Sequence, residues 1–257
     1  SGKSVSTAGD VNGDGYADIL IGAYGGDPGG DFSAGETYVV FGKGDSFDAS
    51  MDLGALDGSD GFALEGIDGG DNSGWSVSTA GDVNGDGYAD ILIGAHKADP
   101  DGDSDAGETY VVFGKDSFGS SMDLGTLDGT NGFVLEGIDA SDYSGWSVST
   151  AGDVNGDGYD DMLIGAYGAD SYAGETYIIY GRDFTGDSTV SGASADDPLL
   201  GTHSTDTRPS ELLSDPCITS PEMEAPESYN RGDGSDLVGS TQSTAERDDD
   251  RERSDIL

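Results

Sequence analysis

The phrase GDVNGDGYAD fills residues 9–18, returns letter for letter at 81–90, and stands as GDVNGDGYDD at 152–161. Its opening aspartates, Asp10, Asp82 and Asp153, lie 72 and 71 residues apart. Other phrases keep the same step. GETYVVFG at 35–42 returns at 107–114 and becomes GETYIIYG at 174–181, while MDLGALDGSDGFALEGI at 51–67 returns as MDLGTLDGTNGFVLEGI at 122–138. A chain that repeats itself at a fixed pitch folds as stacked copies of one supersecondary unit, each too small to bury its own apolar face. The repeats set units at about 1–72, 73–143 and a shortened 144–182. Residues 183–257 lack the GETY and LEG phrases and carry TQSTAERDDDRERSD close to their end, a composition expected to form a disordered tail.

Inside a unit the pattern is that of strands. In SGWSVSTAG the residues alternate, with Trp75, Val77 and Thr79 on one side and Ser76 and Ser78 on the other. DILIGA is a short continuous apolar run, as expected of a strand covered on both faces. GETYVVFG is rich in β-branched and aromatic residues, and GFALEGI is a fourth candidate. Clusters of Gly, Asp, Ser and Pro separate these runs, and no stretch sustains a helical period. Four antiparallel strands per unit, the acidic phrase joining the first two as a hairpin, is the plan of a β-propeller blade.

The acidic phrase has the donor pattern of a calcium loop. In the second copy, oxygen-bearing side chains fall at loop positions 1, 3, 5 and 9, namely Asp82, Asn84, Asp86 and Asp90, and Tyr88 at position 7 can offer its backbone carbonyl. The first copy supplies Asp10, Asn12, Asp14, Asp18 and Tyr16, and the third supplies Asp153, Asn155, Asp157, Asp161 and Tyr159. Calcium takes six to eight hard oxygen ligands, which alternate positions of a tightly curled loop can provide. The glycine at position 6 permits the sharp turn. An EF-hand or dockerin loop needs an acidic residue at position 12, where this chain has Ile21, Ile93 and Ile164 inside an apolar strand.

With these residues in view, the units resemble FG-GAP repeats, the blades of the integrin α-subunit β-propeller and of bacterial proteins that share them. The family core reads F-G-x-S-V, then D-x-N-G-D-G-x-x-D, then a strand ending G-A-P. Here Ser73-Gly74-Trp75-Ser76-Val77 stands for the first element, with Ser in place of Phe. The loop matches in full, and the strand ends in Ala95-His96, with Tyr24 and Tyr167 at the same place in the other copies. The resemblance implies an all-β fold of about 2.5 four-stranded propeller blades, loaded with about three Ca²⁺ ions, on an extracellular or cell-surface protein with an adhesive role. Family propellers close with seven blades, so further blades upstream, or self-association, are expected. The chain begins at Ser1 without a Met and reads as a piece of a longer protein.

Charge narrows the partners. Asp and Glu number 52 against 10 Lys and Arg, a formal net charge of −42, which repels nucleic acid and anionic membrane surfaces. No apolar run reaches the ~20 residues of a membrane span. The single cysteine, Cys217, allows no internal disulfide. Ser1-Gly2-Lys3-Ser4 imitates the end of a phosphate loop, but its repeat register makes it the counterpart of Ser73-Gly74-Trp75-Ser76, a blade strand. Arg231-Gly232-Asp233, an integrin-recognised tripeptide, sits in the tail, where chance accounts for it.

Catalysis finds little support in the residues. Glu36, Glu108 and Glu175 recur once per unit, the mark of a structural part, and His96 and His203 belong to no repeated constellation. No G-x-S-x-G, H-E-x-x-H or C-x-x-C motif occurs. Trp75 and Trp146 read as blade packing before a sugar platform. The sequence therefore leads to a non-catalytic calcium-bound scaffold for adhesion or recognition of a protein or glycan ligand. Two alternatives stand beside it: the accessory region of a larger secreted hydrolase, and a self-assembling surface layer or fibre.

Overall fold

A computed structural model describes residues 1–184 and 189–191 of the chain. Cys217, His203, Arg231-Gly232-Asp233 and nearly all of the expected tail lie outside the described residues. Thirteen strands follow one another: β1 (Ser4–Gly9), β2 (Asp18–Ala23), β3 (Glu36–Val40), β4 (Gly61–Glu65), β5 (Ser76–Gly81), β6 (Asp90–Ala95), β7 (Glu108–Val112), β8 (Ser121–Asp123), β9 (Gly132–Glu136), β10 (Ser147–Gly152), β11 (Asp161–Ala166), β12 (Glu175–Ile179) and β13 (Thr189–Ser191). They form three sheets, ordered β1-β2-β3-β4-β8, β5-β6-β7-β9-β13 and β10-β11-β12. Within a unit every pairing is antiparallel. The acidic phrase joins the first two strands of each sheet as a hairpin, and each of these hairpins carries the same register shift just before the loop, between Thr79 and Gly81 in the second.

The first two sheets have five strands, where the sequence pattern gives four. The fifth is parallel and comes from beyond the unit: β8, in the second unit, pairs with β4, and β13, in the segment from residue 183 expected as a disordered tail, pairs with β9, so that the start of that segment is a strand instead. The segment that follows a unit's third strand thus crosses back onto the preceding sheet. A phenylalanine anchors each crossing. Phe118 stacks on Phe62 of β4 with ring centres 4.1 Å apart, and Phe184 stacks on Phe133 of β9 at 4.3 Å. The corresponding residue of the first unit, Phe47, meets no preceding sheet among the described residues and is 48% exposed.

Two apolar cores lie between the sheets. Leu20, Val39, Phe62 and Leu64 of the first meet Ile91, Ile93, Tyr110 and Val112 of the second. Leu92, Val111, Phe133 and Leu135 of the second meet Met162, Ile164 and Ile179 of the third. The continuous apolar run of DILIGA is explained by this division. Alternate residues point to opposite faces, so Ile91 and Ile93 enter one core and Leu92 the other, and all six residues of β6 are buried. In β2 the same sequence meets a neighbouring sheet on one side among the described residues, and Ile19 is 46% exposed. The expected alternation of the first strand holds less well. Val77 is buried, but so is Ser78 on the opposite side, because both faces of β5 are covered.

Along one edge of the stack runs an aromatic row. Trp75 lies 4.4 Å from His96, which sits 4.9 Å from Trp146, which in turn lies 4.8 Å from Tyr167. His96, standing where the family has Pro, is 2% exposed, and its burial pulls its pKa down to about 4. Trp75 and Trp146 are thus parts of inter-blade packing, as the repeat position suggests. Each GETY glutamate accepts a hydrogen bond from the tyrosine two residues on: Tyr38 from its hydroxyl to Glu36, Tyr110 to Glu108 and Tyr177 to Glu175. Asp71 closes against this pair in the second sheet. Burial, with the charges of Glu108 and Asp68, raises its pKa to about 7.

Two outcomes follow for stability. Phe133→Ala removes the ring that Phe184 and Phe113 pack against and should cost about 3–5 kcal/mol in urea unfolding. Asp71 has a folded-state pKa above its unfolded value, so the stability it contributes below pH ~4 is lost as pH rises through about 7. Asp71→Asn should therefore be more stable than the parent at pH 8 by ~2–4 kcal/mol and equal to it at pH 4, as read by denaturant titration at both pH values.

Candidate metal centre

Each acidic loop is held in its curl by its own side chains. In the second loop Asp82 accepts from the amides of Gly85 and Asp86 on one carboxylate oxygen, at 2.7 and 3.0 Å, and from Gly87 on the other at 2.9 Å. Asn84 Oδ1 accepts from the Asp86 amide and Asp86 Oδ1 accepts from the Tyr88 amide, both at 2.9 Å. The third loop repeats this set with Asp153, Asn155 and Asp157. The first loop repeats it with Asp10, Asn12 and Asp14, save for the bond to the amide at position 4. Such a curl needs left-handed backbone at two places, and glycines fill both: Gly85 and Gly87 have φ of 76° and 91°.

The aspartate at position 9 has a different duty. Asp90 is fully buried, with Oδ2 accepting from Val83 N and Oδ1 from Gly114 N, each at 2.9 Å. It ties the loop to the end of β7. Asp18 and Asp161 make the same pair of bonds, to Val11 and Gly42 and to Val154 and Gly181. Burial raises the Asp90 pKa to about 8, opposed by those two amides and reinforced by the nearby charges of Asp86 and Asp82. Asp18 is raised for the same leading reason.

All fifteen residues expected at the three sites therefore fall in three loops at the same place in their hairpins, five to a loop. Among the described residues no three acidic or imidazole side chains converge as a finished cluster, because the carboxylates are turned onto loop amides. The donor set nevertheless suits a hard cation. It contains oxygen alone, it carries a buried carboxylate short of neutralising charge, and a carboxylate oxygen that accepts one N–H keeps a second lone pair. Asp160, beside the ligand positions, was not among the expected site residues. Its carboxylate accepts from the amide of Asp82 in the neighbouring loop at 2.9 Å, and the one trace of this in the sequence is that the third phrase reads GYDD where the others read GYAD.

Comparison with known proteins fits this geometry. The FG-GAP repeat profile matches residues 1–40, 73–112 and 144–179, the first three strands of each unit with the loop between the first two. Integrin alpha-PS2 of Drosophila melanogaster is 31% identical over 179 residues, covering 66% of this chain and 12% of that protein. Integrin alpha-5 of Xenopus laevis is 32% identical over 193 residues, covering 70% of this chain and 16% of that protein. Phosphatidylinositol-glycan-specific phospholipase D of Bos taurus is 34% identical over 112 residues, covering 42% of this chain and 13% of the enzyme. The chain thus spans only a small part of the length of these relatives. The three matched units, the hairpin loop they share and the blade-like sheets built on them make this chain an FG-GAP repeat protein, similar over its repeats to integrin α subunits.

Proposed function

We propose that this chain is a non-catalytic calcium-binding scaffold whose ions stiffen propeller blades for adhesion or recognition outside the cell. The observation that carries the reading is the threefold repetition of an all-oxygen loop pre-curled by its own amides. Asp10, Asn12, Asp14, Asp18 and the Tyr16 carbonyl would hold one ion; Asp82, Asn84, Asp86, Asp90 and the Tyr88 carbonyl a second; Asp153, Asn155, Asp157, Asp161 and the Tyr159 carbonyl a third. A bound cation would neutralise carboxylates that otherwise repel one another across a few residues. The integrin relatives support the extracellular, adhesive part of the reading, with a protein or glycan as the ligand. No helix among the described residues is long and apolar enough to cross a membrane.

The phospholipase D relative favours a second reading, in which the repeats are the accessory region of a larger secreted hydrolase. The two readings share the calcium loops and differ in what the rest of the polypeptide does.

Calorimetric titration of the full chain with calcium should give near three ions per chain, in the ~10⁻⁴–10⁻³ M range of extracellular modules. The triple variant Asp14→Ala, Asp86→Ala, Asp157→Ala should give none. A chelator should lower the melting temperature of the parent and leave that of the variant unchanged. A parent that takes up no calcium overturns the reading.

A further inference from the structure

The three loops touch one another in a row. The Ala89 amide donates to the carbonyl of Asp10 at 3.0 Å, and the Asp160 amide donates to the carbonyl of Asp82 at 3.0 Å. In both cases position 8 of one loop, set between the carbonyl donor at 7 and the carboxylate at 9, holds position 1 of the preceding loop. Tyrosine rings press on the same junctions. A Cβ on Gly13 would lie 2.7 Å from the Tyr88 ring, and one on Gly85 would lie 2.7 Å from the Tyr159 ring, so both close approaches require glycine. A second backbone bond backs each contact, Lys115 N to Val11 O at 3.0 Å and Arg182 N to Val83 O at 2.8 Å.

The third loop has no such follower among the described residues. The space above Gly156 is open, and Val154 is 55% exposed where Val11 and Val83 are fully buried. The two junctions also differ. At the second, Asp160 Oδ2 accepts from Asp82 N, whereas at the first the equivalent side chain is the methyl of Ala89.

We propose that the three cation loops are energetically coupled through these contacts, each to its immediate neighbour, and that Asp160 is a positioning residue that strengthens the coupling of the second loop to the third. The proposal rests on the calcium reading above. Fixing positions 7–9 of one loop fixes the amide that holds the first ligand residue of the loop before it. An ion in either loop therefore lowers the ordering cost, and the carboxylate repulsion, that the other must overcome. The coupling is reciprocal, as binding linkage requires, and passes only between adjacent units, as in a one-dimensional array.

The test is a calcium titration of the ¹⁵N-labelled full chain, read at the amides of Gly15, Gly87 and Gly158, each of which donates to the position 1 carboxylate of its own loop. Asp157→Ala, which disables the third loop, should weaken the second about fivefold or more and leave the first within about twofold. Asp14→Ala should weaken the second and leave the third within about twofold. Asp160→Ala should weaken the second and third loops together, while Asp160→Asn, which keeps an acceptor oxygen, should stay near the parent. Midpoints that no neighbouring variant moves would overturn the coupling and leave the calcium reading standing. A parent whose loop amides do not shift with calcium would overturn both.

Discussion

One buried carboxylate per unit holds the molecule together. Asp18, Asp90 and Asp161 each clasp an amide inside the acidic loop and an amide just beyond the third strand, so a single side chain fixes the loop, the start of the second strand and the end of the third. The cost of burying it is visible in the raised pKa of Asp90. Two charge-assisted hydrogen bonds offset part of that cost, and the loop places further carboxylates close by. Under the calcium reading proposed above, structure and cation binding would meet at one residue: what makes the hairpin rigid also leaves it short of positive charge.

The same economy runs through the packing. The central sheet gives alternate residues of one strand to two different cores, which is why Ile91, Leu92 and Ile93 can be apolar in succession without exposing any of them. The acidic surface then stays on loops and edges. With a net charge of −42, the chain can keep its sheets in contact because most of the contacts are apolar or backbone to backbone. Polar side chains join neighbouring sheets at a few places, where Ser76 Oγ donates to the Gly145 carbonyl, Ser4 Oγ accepts from the Val77 amide and Asp160 accepts from the Asp82 amide, while each Tyr–Glu pair closes within its own strand.

Much of this was legible from the residues. The pitch of the repeat, the hairpin around the loop and the doubly covered second strand of the central sheet all follow from local patterns, because strand period and turn chemistry are written in neighbouring letters. The fifth strand of the first two sheets was not legible. Ser121-Met122-Asp123 is three residues long, weakly strand-forming, and pairs with a strand nearly sixty residues earlier, so its placement is a non-local event. The alternation expected around Ser78 failed for a related reason: strand period tells two faces apart but does not say that both are covered. Asp160 was missed because a carboxylate outside the ligand positions has meaning only once the neighbouring loop is seen beside it. The one hint of the crossing strands is Phe47, Phe118 and Phe184, which fall five, four and three residues after the glycine that closes the GETY phrase.

The crossing strands carry a mechanical implication. Because the first two sheets are each completed by residues from further along the chain, the repeat counted along the sequence and the blade counted in space are out of phase. A pull on one end of the chain does not meet a string of separate beads. It must first draw a stapled strand and its anchoring phenylalanine out of the sheet behind before the next unit can yield. Load is shared backward along the array, and the molecule resists as a spliced cable does, in which no single segment ends where its neighbour begins.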